Sequence, residues 1–419
     1  MKFEKLIIKD WRQFSGVEID FHPRITIITG ANGAGKSTIL KILSQHFGWQ
    51  NPLLATPKVS PDSGVISYVS GLFNKLRKAA LGDQTNNVGL ITYDNKTNAT
   101  LIIPESGGVT YNLSIQNQQS VIGLHINSHR SIQNYQQIVN IPINAISAEQ
   151  AYQVYSNDIM QRSYGGHTQF SPLYRMKETI ISMATFGAGN EYVQKNPTLE
   201  KLFVDFKNVL SKVLPPTVGF IDISIRIPDV VIVTETGEFM IDAASGGLMS
   251  IIDLAWQIFL FSHNKDEFTI TIDEPENHLH PSMQRSFLRR LTETFPKAQF
   301  IVATHSPFIV SSVKDSIVYV LHYEESVEET QTPMVRRISS LKLGTTDKAA
   351  TASEILREVL GVPVTLPEWA EEELRVITNM FSSQAFTPDL IASLRQHLEE
   401  AGLSEYYPDA LRIIVDRVQ

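Results

Sequence analysis

Apolar and polar residues alternate over residues 3–9 and again over 17–21, the period-two pattern of strands buried on one face. Residues 25–29 form a short apolar run, which reads as a buried strand. A glycine-rich turn follows, and the period becomes helical from about residue 37 to 47, with Gly48 suited to the helix C-terminus. Residues 90–93, 99–103 and 109–115 read as a small antiparallel meander with turns at Asp94-Asn95 and Gly107-Gly108. Residues 70–80 read as a helix carrying Lys75, Arg77 and Lys78, and 199–214 as a helix closed by Pro215-Pro216. Strands are expected at 220–227, 230–234 and 238–241.

From Ser245 helices and strands alternate plainly. A helix over 248–262 leads to a strand over 268–273, a helix over 282–295, and strands over 299–303 and 317–321. After Glu324 a charged, Thr-rich link leads into a helical tail. Thr351 and Glu354 have capping-box spacing, Gly361 suits a helix end, and helices are expected over 367–381 and 388–401. Ala370, Leu374, Ile377 and Phe381 share one face of the first, a stripe read as core packing.

The longest apolar run, 248–261, is broken by Ser250, Asp253 and Gln257, so it reads as a buried helix rather than a membrane span. The N-terminus lacks an apolar signal stretch, and a cytoplasmic protein is expected. Cysteine is absent, which removes disulfides, Cys-ligated metals and thiol nucleophiles. The net charge of −8 argues against a broad nucleic-acid-coating surface, although a local patch could still touch DNA. Internal repeats, low-complexity tracts and sustained heptads are lacking.

Gly30-Ala31-Asn32-Gly33-Ala34-Gly35-Lys36-Ser37 fits the phosphate-binding loop G-x-x-x-x-G-K-[ST], and it lies between a strand and a helix as that motif requires. Glycines let backbone N–H groups turn toward phosphate oxygens, and the helix N-terminus adds positive partial charge. Lys36 is expected on the β- and γ-phosphates, Ser37 on Mg²⁺, and Asn32 and Thr38 beside the nucleotide. A second apolar strand ends in Asp273-Glu274. Asp273 is expected to hold Mg²⁺ and Glu274 to polarise the attacking water. The pair His278 and His280 has no evident third ligand and is not read as a metal site.

Two further motifs follow in order. Ala244-Ser245-Gly246-Gly247 precedes a helix, and Thr304-His305-Ser306-Pro307 follows a strand. With the first two, they resemble the ABC-type P-loop ATPases over about residues 1–50 and 220–325. Asp273-Glu274-Pro275-Glu276 with Leu279-His280-Pro281 is similar to the element of RecF- and OLD-like members, and Trp11-Arg12-Gln13-Phe14 to a segment of SMC, RecF and OLD relatives. The resemblance implies that Ser245, Gly246 and Gly247 bind the γ-phosphate held by another subunit. It makes His305 the switch histidine and places Arg12 near the nucleotide. The glutamine-loop equivalent stays open between Gln118, Gln119 and the Asn127-Ser128-His129-Arg130 segment.

The resemblance implies an α/β ATPase head with a mixed central sheet, an antiparallel β subdomain and an inserted helical region at about 50–220. Residues 1–325 would form this domain and 326–419 a C-terminal helical region. The tail after Glu324 has no Asp-x-Asp and is short for the nuclease domain of OLD enzymes. The chain therefore resembles stand-alone ATPases of bacterial antiphage systems of the Septu PtuA and PARIS AriA types. That implies ATP and Mg²⁺ as cofactors, a homodimer or higher oligomer, and a separately encoded nuclease or toxin as partner. The alternative is a RecF-like repair ATPase clamping DNA.

Overall fold

The computed structural model describes residues 1–59, 64, 66–70, 86–104, 108–129, 135–141, 146–324, 337–344, 348, 351–359, 367–381 and 387–418. The positions Lys75, Arg77, Lys78, Gly107, Arg130 and Gly361 lie outside the described residues.

Among the described residues, eleven strands form one mixed sheet. In chain order these are β1 (Phe3–Trp11), β2 (Phe14–Asp20), β3 (Ile25–Gly30), β4 (Asn87–Tyr93), β5 (Asn98–Ile102), β6 (Ser114–Gln116) and β7 (Gly123–Ile126). A separate three-stranded sheet contains β8 (Phe220–Arg226), β9 (Asp229–Thr234) and β10 (Gly237–Met240). The large sheet resumes with β11 (Phe268–Asp273), β12 (Ala298–Ala303), β13 (Ile317–Tyr323) and β14 (Ile338–Lys342). Its order is β6-β5-β4-β1-β2-β14-β13-β3-β12-β11-β7. The half from β13 to β7 is parallel, and β3, β11 and β12 are buried at every position, as strands covered on both faces must be. The half from β6 to β2 is antiparallel and shows the expected alternation of buried and exposed positions.

The helices are α1 (Lys36–Ser44), α2 (Ala148–Ser163), α3 (Pro172–Ala188), α4 (Pro197–Val213), α5 (Gly246–Ser262) and α6 (Pro281–Thr294). Side-chain caps fix where several begin: Ser147 with Gln150 forms a capping box at α2, Ser171 caps α3 ahead of Pro172, and Asn196 caps α4 ahead of Pro197. Helix α5 is buried from Gly247 to Phe261, which accounts for its mostly apolar sequence. No described helix is long and apolar enough to cross a membrane.

The structure differs from the sequence expectation at the domain boundary. Strand β14 pairs with β13 on one side and β2 on the other, so the chain re-enters the sheet after residue 325. The first compact unit therefore runs from Met1 to Ala352 and the second from Ser353 to Gln419. In the second unit, Ala370, Leu374, Ile377 and Phe381 pack with Leu390, Leu394, Leu398, Leu403, Ala410 and Ile414, and the helix Tyr407–Val418, absent from the sequence expectation, completes this core. The stretch read as one strand over 109–115 is two short strands, Thr110–Tyr111 and β6.

Candidate functional site

Strand β3 delivers the chain to a loop with strict steric demands. Gly30 has φ +142°, and a Cβ there would lie 2.4 Å from the Leu321 carbonyl oxygen of the neighbouring strand. Gly35 has φ +92°, and a Cβ there would lie 2.4 Å from the Phe14 ring. Helix α1 starts immediately afterwards, so its first N–H groups have no partner within the helix and face the loop. Lys36 is buried, and its Nζ donates to the carbonyl oxygens of Gly30 (2.8 Å) and Ala31 (3.0 Å). Burial lowers its pKa, against the carboxylates of Glu274, Asp273 and Glu276, which raise it. Asn32 and Gly33 are exposed at the loop tip, while Ser37 and Thr38 are half-buried in the first turn of α1. Gly35→Ala is expected to cost about 1–3 kcal/mol of stability, the usual penalty of a forced left-handed residue. A falling melting temperature together with weakened nucleotide binding would check it.

Asp273 ends β11 buried, and one of its oxygens, Oδ1, has no hydrogen-bond partner. Burial pushes its pKa up, while a hydrogen bond from the Ser37 hydroxyl acts the other way. A desolvated carboxylate oxygen left open beside a hydroxyl is an oxygen donor set that suits a hard divalent cation. The next residue, Glu274, turns out of the sheet at φ +49°, its N–H held by the Ala303 carbonyl (2.8 Å). Its Oε2 accepts from Asn277 Nδ2 (3.0 Å), and its Oε1 lies 3.3 Å from His305 Nδ1. Lys36, Ser37, Asp273, Glu274 and His305, chosen from sequence, are thus neighbours.

Glu276 has a role that sequence reading did not assign. It is buried, and its Oε1 accepts from the Thr304 hydroxyl (2.7 Å) and the His305 N–H (3.0 Å). It therefore fixes the backbone that carries His305. The signal available was an acid two residues beyond Glu274 in a tight turn. Glu276→Ala is expected to lower kcat about tenfold with KM little changed, in line with losing a hydrogen bond to a charged group. Steady-state kinetics beside wild type would check this.

A cavity of about 470 Å³ opens beside Ser37 and Asp273. Asn127, Ser128 and His129, which follow β7, line it, as do Arg162, Ser163 and Tyr164 at the end of α2. The segment after β7, one of the open alternatives, thus lies at this cavity. Gln119 bonds Asn117 and donates its N–H to the Tyr93 hydroxyl, and Arg130 of the 127–130 segment is outside the described residues. His125 on β7 is buried with its pKa lowered to about 4 by desolvation, so it is neutral at pH 7.

The remaining sequence candidates lie at the start of α5 and in the β1–β2 turn. Ser245 and Gly246 are exposed at the start of α5, where Ser245 Oγ accepts from the Leu248 N–H (3.4 Å). That start packs on the turn after Glu276: a Cβ on Gly247 would lie 2.6 Å from the His278 carbonyl oxygen, and Ser250 donates to the Asn277 carbonyl. Arg12 adopts φ +53° in the β1–β2 turn and lies 5.9 Å from the Trp11 ring centroid. Its neighbours touch the loop: Gln13 Nε2 reaches the Gly33 carbonyl (3.5 Å), and Phe14 packs against Gly35.

A family model described as an AAA domain matches residues 5–175, and one described as an AAA ATPase domain matches 127–310. A Septu protein PtuA of Bacillus thuringiensis is 28% identical over 165 residues, covering 35% of this chain and 40% of that one. A retron Vc95 probable ATPase of Vibrio cholerae is 38% identical over 53 residues, covering 13% of this chain and 10% of that one. This chain thus spans less than half the length of either relative. Among solved structures, an SMC head domain of Thermotoga maritima aligns over 82% of this chain and 100% of its own, with a TM-score of 0.41 and 14% identity.

Proposed function

We propose that this ABC-type P-loop ATPase binds MgATP in the cradle of residues 30–37, completes its site with a second copy of itself, and so controls a separate effector, a nuclease or toxin, in bacterial antiphage defence. Lys36 and the α1 amides would hold the polyphosphate, and Ser37 with Asp273 would hold Mg²⁺, which neutralises charge on the phosphates when bound. The unpartnered Asp273 Oδ1 supports that assignment. Glu274 then takes a proton from water as the water oxygen bonds to the γ-phosphorus, and the bond to ADP breaks. His305, whose backbone Glu276 fixes, lies beside Glu274 and would contact the γ-phosphate.

The observation that carries the shared-site reading is the exposed Ser245-Gly246 at the N-terminus of a 17-residue helix. A helix start of this kind attracts an anion, and it packs on the 277–279 turn. Docked on a second copy, it would close over the γ-phosphate and exclude water. Similarity to the Septu and retron proteins supports the defence role.

Specific ATPase activity measured across a hundredfold range of protein concentration tests this. Activity per molecule should rise with concentration and then plateau; a flat line in a monomeric preparation opposes a shared site. Stimulation by duplex DNA that fades with salt would instead favour the DNA-clamp alternative.

A further inference from the structure

Lys177 on α3 is fully buried, far from the polyphosphate chemistry in sequence and not used by it. Its ammonium donates to both oxygens of Asp242 (2.8 and 2.9 Å) and to the Gln136 carbonyl (2.8 Å), which accounts for all three of its protons. Asp229 lies 3.9 Å away. Asp242 belongs to the single turn Ile241–Ala243 that immediately precedes Ala244 and Ser245. Beyond the turn, Asp253 of α5 is also buried and accepts from the Tyr155 hydroxyl of α2 and from Gln257 Nε2 (3.0 Å). Polar bonds to the inserted helices therefore hold the turn that leads into Ser245 and the helix that follows Gly247.

A buried ion pair gives little net stability over apolar residues of the same shape, because desolvating both charges offsets their attraction. Its better-attested use is to specify one geometry among several packings. Here the geometry specified is that of an exposed helix start.

We infer that Lys177, through Asp242, is a positioning residue for the Ser245-Gly246-Gly247 turn, and so for the γ-phosphate of nucleotide held by a second copy. The inference rests on the shared-site reading above. It assigns part of the inserted helical region a role in the partner's site rather than in its own.

The test mixes inactive variants. Lys36→Ala lacks a working cradle and Ser245→Arg lacks a working turn. One pairing of the two rebuilds a complete site, so their mixture should regain ATPase activity, up to about a quarter of the wild-type level. Failure of this control overturns the shared site itself. With the control working, Lys177→Met should bind a fluorescent ATP analogue within twofold of wild type and lose at least tenfold in turnover. It should regain activity when mixed with Lys36→Ala and not when mixed with Ser245→Arg. Loss of nucleotide binding by the variant alone, rescue by Ser245→Arg, or no rescue by Lys36→Ala each overturns the inference. Asp242→Asn, which keeps the shape and removes the charge, should repeat the pattern, and it decides the matter if Lys177→Met does not fold.

Discussion

Glu274→Gln is expected to lower ATP turnover by roughly 10²–10⁴-fold, the contribution of a positioned general base, while MgATP stays bound. The amide keeps the side-chain shape and one acceptor oxygen, so the contacts with Asn277 and His305 need little rearrangement. What disappears is the charge that draws a proton from water. Lys36, Ser37 and Asp273, which would hold the nucleotide and cation, are unaltered. Single-turnover assays and the nucleotide content of the recovered protein measure the two effects separately. Near wild-type turnover would move the base elsewhere, and loss of binding would make Glu274 a binding residue.

Lys36→Ala is expected to weaken MgATP binding by on the order of 10²-fold, from the ~1.5–3 kcal/mol of a hydrogen bond to a charged group. Its surroundings make this more than a lost contact. Asp273, Glu274 and Glu276 act on the same ammonium, and its removal leaves them facing a polyanion without compensation. Calorimetric titration reads the affinity directly. An affinity within threefold of wild type would remove the cradle from the account.

The cradle was legible because its chemistry depends on local spacing: a strand, two sterically required glycines and a lysine that opens the helix. The same holds for Asp273-Glu274, since a strand buried on both faces ends there. Strand β14 was not legible. Its five residues Ile338–Lys342 carry one fully buried apolar side chain, Ile338, and only long-range pairing with β2 and β13 defines it. Helix α2 buries only Ala148, Ala151 and Tyr155, too sparse a stripe to read, whereas α3 is buried on most sides and has no clean period. Glu276 and Lys177 escaped for another reason. Each acts through hydrogen bonds to residues distant in sequence, Thr304 and His305 for one and Asp242 for the other. The segment beside Arg12 was legible only in part, since Gln13 and Phe14 meet the loop through its turn rather than through any local spacing.

The most direct measurement is sedimentation velocity of Glu274→Gln protein with magnesium, with and without ATP. A site sealed by a second copy predicts a shift to a dimer or larger species that needs ATP and is lost with Lys36→Ala. An identical sedimentation coefficient in both conditions, with ATP shown to be bound, would contradict it.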